Sequence, residues 1–239
     1  MSFTNPSVKN ISAWKKNLLK LMRIFILIMG ITIVIFGVGG IKVFGIMALI
    51  ALLIIYLPNF LNPQHKQVIP VEVEIMFLVV VTLEYVLGNT FGLYGKIPHY
   101  DDFMHLTVPL MVSLIGMMFL YTAYIYGKIR ASLALMACLI ILITIGIGGI
   151  LEMVEYSYDN FIYSHISQVL PTGLTQGSLT QNPLDDTMSD LFTDALGGII
   201  GALIGIFFIR RAEKKGQCIE WVDEFAELEG LKKDNNELD

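Results

Sequence analysis

The sequence predicts an all-α fold, a polytopic membrane bundle of six transmembrane helices with both termini in the cytoplasm. Three observations predict it. Of the 239 residues, 55% are hydrophobic and only 15% are charged, against about 45–50% and about 25% in ordinary soluble domains. The apolar residues fall in runs of membrane-spanning length. Lysine and arginine then sort to one side of those runs, as the positive-inside rule requires. This composition excludes a disordered chain, a small disulfide scaffold and a typical cytosolic enzyme.

The first run, near 18–38, follows a basic segment, and no A-x-A-like cleavage site precedes a soluble domain. It reads as a first span, not a removed signal peptide. A Gly37-Val38-Gly39-Gly40-Ile41-Lys42 turn joins it to the second, near 42–60, as a helical hairpin. Pro58, Asn59, Asn62 and Pro63 close that span, and Pro70 opens the third, near 71–90, at a first-turn position. The fourth and fifth lie near 102–125 and 131–155, and the sixth near 187–209, completing a transmembrane domain over 1–209. Alternating sides along this order puts all basic residues but Lys42 and Lys96 on one side, 14 of the 16 in the chain. That side is cytoplasmic, and a prokaryotic plasma (inner) membrane is the expected setting.

With that topology the acidic residues gather at the opposite, outer end. Glu84 ends span three, Asp101 and Asp102 open span four, Glu152 and Glu155 end span five, and Asp185, Asp186, Asp190 and Asp194 open span six. Asp159 in the following loop brings the cluster to ten carboxylates, with almost no lysine or arginine beside them. At 100° per residue, Asp101, His105, Pro109 and Gly116 share one arc of span four. Thr144, Gly148, Glu152 and Glu155 share another on span five. On span six Asp186, Asp190 and Asp194 step by four, and Gly197, Gly198, Gly201 and Gly205 continue the face. Gly197-x-x-x-Gly201-x-x-x-Gly205 is a small-residue ladder for close helix packing, so the carboxylates above it point into the bundle.

Acidic residues in a first helical turn can be simple caps or dipole partners, which accounts for Asp101, Asp102, Asp185 and Asp186 taken singly. His105, Glu152, Asp190 and Asp194 lie deeper. Each charge at bilayer depth costs about 2.5–3.5 kcal/mol on insertion scales. Several together imply a wet cavity, a bound cation or shared protons. Carboxylate oxygens with one imidazole suit a divalent metal such as zinc, manganese or magnesium. Asp101, His105, Asp186, Asp190 and Asp194 are the expected ligands, with Glu152 or Glu155 as general base toward a bound water. A metal-dependent hydrolase or transferase acting on a lipid-linked or cell-envelope substrate follows. Two alternatives use the same groups: a cation- or proton-coupled transporter, and a non-enzymatic protein whose carboxyls staple the bundle or dock an envelope partner. The bilayer is the one obligatory partner, and no nucleic acid is expected.

Other motifs narrow the chemistry. G-x-S-x-G and H-E-x-x-H are both missing. Cys138 and Cys218 form neither a C-x-x-C pair nor a disulfide framework. The Asp186, Asp190, Asp194 run, with Asn182 before it, resembles the acidic motifs of membrane prenyltransferases, which hold magnesium against a lipid diphosphate but add a basic residue lacking here. Three motifs taken together are more specific. Leu93-Tyr94 and Tyr100-Asp101-Asp102-Phe103-Met104-His105, then Glu152-Met153-Val154-Glu155-Tyr156, then Asp186-Thr187-Met188-Ser189-Asp190 resemble the Y-D-x-x-x-H, E-x-x-E and D-T-x-x-D elements of the YjdF-like family of six-span bacterial inner-membrane proteins. Asp190 to Gly201 is also similar to the D-x-x-x-N-x-x-G pattern of VanZ-like proteins, with Asp194 at the asparagine position. The resemblance covers about 85–209. It implies the architecture, a shared polar site and, through the VanZ-like link to glycopeptide resistance, a cell-envelope setting.

The stretch 156–186 carries no lysine or arginine, and Pro171, Gly173, Gly177 and Pro183 preclude a long regular helix. It is either a lid over the cluster or a spacer, and His165 could add an imidazole. The 210–239 tail opens with a stop-transfer cluster from Arg210 to Lys215. A short acidic amphipathic helix follows, with Trp221, Phe225 and Leu228 on one face, expected to dock on the cytoplasmic end of the bundle.

Overall fold

The chain was analysed in a computed structural model that describes residues 12–61, 69–161, 173–176, 181–215, 222, 225 and 226, with 58–61 as backbone only. Among these residues every regular element is helical. Helix α1 is Ala13–Phe36, α2 is Ile41–Leu61 and α3 is Val71–Val81, which runs on as a π-helix over Thr82–Thr90. A short 3₁₀ turn at Leu93–Gly95 leads into α4 (Tyr100–Ile125), α5 (Leu133–Phe161) and α6 (Pro183–Lys214). Four helices, α1, α4, α5 and α6, are long and apolar enough to cross a membrane, and α2 is apolar over Ile41–Leu57. The third predicted segment is not one α-helix. Its 71–90 stretch changes helical register at Thr82.

The helices form two groups. In the first, α1 and α2 make the hairpin predicted from the glycines, with Gly39 at φ 59° in the turn. Gly45 faces Gly30 and Ile33 so closely that a Cβ there would sit 2.9 Å from the Gly30 carbonyl. Leu19, Ile26, Ala48, Leu52, Ile55 and Leu78 make the shared core. Two ion pairs tie α1 to α3. Lys15 meets Glu72, and Arg23 binds buried Glu74 through Nε at 2.5 Å and Nη2 at 2.6 Å. Pro70 stands at the N-cap of α3, one position ahead of the first turn.

In the second group α4 lies against α6, and α5 packs on both. The glycine ladder performs as predicted. A Cβ on Gly201 would lie 2.5 Å from the Leu110 carbonyl oxygen and one on Gly205 2.9 Å from Met117 Cβ, while Gly197 abuts the Leu106 carbonyl. Gly198 meets the Thr144 hydroxyl of α5. On α6 the buried residues include Asp186, Asp190, Asp194, Gly197, Gly201 and Gly205, which is the predicted stripe. Helix α6 starts at Pro183, ahead of the predicted 187. The Asn182 side chain accepts from the Leu184 and Asp185 amides at 3.1 Å, and Pro183 fills the first helical position. Helix α5 likewise runs past 155, to Phe161.

The charged tail docks in part. Val222 joins Met117, Tyr121, Met136, Ile140 and Ile209 in a second core, and the Phe225 ring meets Phe119 edge-on with centroids 5.0 Å apart. Trp221 and Leu228 lie outside the described residues, as do His165, Pro171, Gly177, Asn62, Pro63 and Cys218.

Candidate functional site

Helix direction brings the acidic segments together. Ser189 near the start of α6 donates to Asp102 at the start of α4 (2.7 Å). Thr187 of α6 donates to Glu152 near the end of α5 (2.7 Å). The N-termini of α4 and α6 and the last turns of α5 therefore share one end of the bundle.

At that end His105 sits 9% exposed. Its Nδ1 is 3.1 Å from Asp194 Oδ1. A carboxylate only accepts, so Nδ1 carries the hydrogen, and in the neutral imidazole Nε2 then keeps its lone pair. That Nε2 lies 3.9 Å from Asp101 Oδ1, beyond hydrogen-bond range. Two ligands each about 2.0–2.2 Å from one ion lie no more than about 4.4 Å apart, so this gap has the width of a shared cation. Asp101, His105 and Asp190 offer ligand atoms within 4.8 Å of one another, and so do His105, Glu152 and Glu155. The two sets meet at His105.

The carboxylates are buried without adequate partners. Asp190 is 1% exposed, and among the described residues neither of its oxygens has a hydrogen-bond partner. Glu152 Oε1, Glu155 Oε2 and Asp194 Oδ2 are in the same position. None of Asp101, Glu152, Glu155, Asp190 and Asp194 pairs with a lysine or arginine among the described residues. Burying an uncompensated carboxylate costs several kcal/mol, so these oxygens require a positive charge or protons. Pro109 adds to the polarity here, because it lacks the N–H that would bond the His105 carbonyl in the helix ladder.

All seven predicted site residues lie at this end, though not in equivalent places. Asp101, His105 and Asp190 form one candidate ligand set, and Glu152 and Glu155 complete another around the same imidazole. Asp194 faces His105 as its orienting partner. Gly148 makes room for it, since a Cβ at 148 would collide with the Asp194 carboxylate. Asp186 is buried one turn above Asp190, outside both sets.

Sequence reasoning missed the opposite wall. The π-helix aims Glu84 inward, where Tyr94 donates to Oε2 at 2.5 Å and Asn89 to Oε1 at 2.7 Å. Asn89 also donates to the Glu84 carbonyl (2.9 Å) and Thr90 to that of Tyr85 (2.7 Å), both five residues back. Desolvation, reinforced by the charge of Glu84, pushes the Tyr94 phenol well above its ordinary pKa, so it remains a donor. The 173–176 segment closes over this wall. The Gly173 amide donates to Asn89 Oδ1 at 3.3 Å. Gln176 bonds Asp159 through its amide (3.0 Å) and Thr187 through Nε2 (2.8 Å). The sequence clues to this wall were Glu84 at the outer end of span three and Leu93-Tyr94 ahead of Tyr100-Asp101, neither of which gave it a role.

Below the polar groups lies a cavity of about 250 Å³. Glu84, Tyr94, Asp101, His105, Glu155 and Asp194 line its polar end, and apolar side chains line the rest.

A family model described as "Predicted membrane protein (DUF2238)" matches residues 21–211. The chain belongs to this family. The match runs from α1 to the end of α6 and takes in every residue of the site. No curated protein and no solved structure matches the chain significantly. Membership in this family agrees with an integral membrane protein built on apolar helices.

Proposed function

We propose that this DUF2238 protein is a six-span membrane protein whose outward-facing site binds a divalent cation and acts on a lipid-linked or cell-envelope substrate. The observation that carries the reading is Asp190. A carboxylate 1% exposed, with neither oxygen hydrogen-bonded among the described residues and a histidine nitrogen within 4.8 Å, supports a role as a cation ligand. Asp101, His105 Nε2 and Asp190 form the core of the coordination shell. Glu152 and Asp186 stand beside it, and Asp194 holds the imidazole. One nitrogen among carboxylate oxygens suits zinc or manganese, and a shell completed by water suits magnesium. Glu155, in the second set around the same imidazole, would serve as the general base, and a bound divalent ion would supply the Lewis acidity of metal-dependent hydrolysis or transfer.

The six-span arrangement is supported by helix direction. Helices α1 and α3 start at one end, where their ion pairs lie, while α4 and α6 start at the other. With the basic residues on the α1 end, the site faces the outer side of a prokaryotic inner membrane and both termini are cytoplasmic. The YjdF-like and VanZ-like resemblances support the same envelope setting.

The test is elemental analysis of the purified full chain beside a His105→Ala/Asp190→Ala variant. About one equivalent of a divalent metal in the wild type, lost in the variant, is expected. Equal, near-zero metal in both overturns the proposal.

A further inference from the structure

The cavity continues far beyond the polar groups. From Asp101 to Val112 along α4 it extends about 16 Å, at 1.5 Å per residue. Its floor and sides are Val108 and Val112 of α4, Phe44 and Met47 of α2, and Ile147 and Leu151 of α5. Two features of this apolar part are independent of the metal site. First, among the described residues no Cα of α5 comes within 8 Å of one in α1, α2, α3 or the π-helix, so the backbones of the two helix groups part on that side. Second, three of the α5 residues that line the cavity are also exposed, Ile147 at 39%, Leu151 at 42% and Val154 at 47%, while Thr144, Gly148 and Glu155 are buried. The cavity therefore has a sideways mouth between the first turns of α2 and the middle of α5, the latter a helix of membrane-spanning length. What reaches a mouth at that depth is lipid hydrocarbon.

We infer that the cavity takes the apolar chain of a membrane amphiphile, entering sideways between α2 and α5, with its oxygen-bearing head group at the carboxylate and histidine end. This rests on the proposed cation site for the head group, whereas the chain subsite stands on the cavity and its mouth. The gradient along one wall, from Asp101 and His105 to Val108 and Val112, is that of a single-chain amphiphile. At about 250 Å³, against about 10–15 Å³ needed to hold one water, the space suits one apolar chain. An anionic head would be repelled by the bare carboxylates, so the cation is also what admits such a head.

The test uses the full chain in phosphatidylethanolamine/phosphatidylglycerol vesicles containing a 16-carbon alcohol with a mid-chain diazirine, whose uncharged head enters with or without the cation. After photolysis, labelled residues are mapped by mass spectrometry and metal is measured on the same samples. Labelling of Val108, Val112 or Ile147 is expected, falling at least fivefold in Val112→Trp, which fills the cavity. Labelling of the lipid-facing Leu142 and Ile143 on α5 is expected to stay constant. Val112→Ala, a change that cannot overpack, is expected to raise cavity labelling. Label confined to Leu142 and Ile143, or insensitive to both substitutions, overturns the chain site. So does a cross-link showing that a second copy's helix fills the mouth. Metal present without cavity labelling overturns this inference alone, while cavity labelling without metal supports it and overturns the cation reading.

Discussion

His105 Nδ1 faces Asp194 Oδ1 at 3.1 Å, from a residue 89 positions away in the chain. In the neutral imidazole that bond fixes the tautomer and leaves Nε2 on the side of Asp101, 3.9 Å from its Oδ1. Asp194 thus acts on an ion through the imidazole. Asp194→Asn is expected to weaken metal binding about 10–100-fold, the usual cost of losing such a support, whereas Asp190→Asn removes a ligand and abolishes stoichiometric binding. Gly148→Ala touches no ligand but displaces the Asp194 carboxylate, so it should weaken binding in the same range as Asp194→Asn. Chelator competition with zinc on the three variants measures the order.

The glycines of α6 and α5 should separate cleanly. Gly201→Ala forces a Cβ to 2.5 Å from the Leu110 carbonyl and is expected to cost about 1–3 kcal/mol as overpacking. Gly146 and Gly149 of α5 have nothing within 4 Å of an added Cβ, and their alanine variants should be neutral or gain about 0.5–1 kcal/mol. Thermal unfolding in one detergent compares them.

The Arg23–Glu74 pair is a second test of buried charge. Glu74 is 2% exposed and Arg23 22%, with the guanidinium also 5.0 Å from the Tyr56 ring centroid. Arg23→Met strands the carboxylate and should cost about 3–5 kcal/mol. The double change Arg23→Met/Glu74→Leu should recover most of that loss. Unfolding of the single and double variants gives both values.

Tyr94 should give the protein an alkaline limit. Its phenol is held above the ordinary value in the folded state, so folded protein keeps a proton that the unfolded chain releases near pH 10. This contribution to stability is intact below that pH and declines as pH rises toward the folded value. Stability measured from pH 8 to 11 should fall less steeply in Tyr94→Phe than in wild type.

The parts of the fold that were legible in the sequence depend on one helix at a time. Apolar runs fixed where α1, α4, α5 and α6 lie, and the four-residue step of Asp186, Asp190 and Asp194 placed them on the glycine face. Roles within the cluster were not legible. Asp190 and Asp194 are equivalent by periodicity, and only the neighbouring α4 and α5 make one an unpartnered carboxylate and the other the support of His105. The same holds for Arg23 and Glu74, two charges in separate apolar helices whose pairing depends on how α1 meets α3. Gln176 carried no pattern at all, since its role comes from where a loop happens to lie.

The π-helix over Thr82–Thr90 has a consequence for how the chain tolerates insertions and deletions. A π turn is an α-helix carrying one surplus residue. Removing one residue between Glu84 and Asn89 would let an ordinary ladder form at little local expense, because the π turn already takes up the surplus and the helix beyond it keeps its heading. One residue more or fewer in the plain α-helix that precedes it would instead rotate Glu84 and everything after it by about 100°. The π turn is therefore the stretch of this wall that forgives a change of length, like the slack kept in a belt.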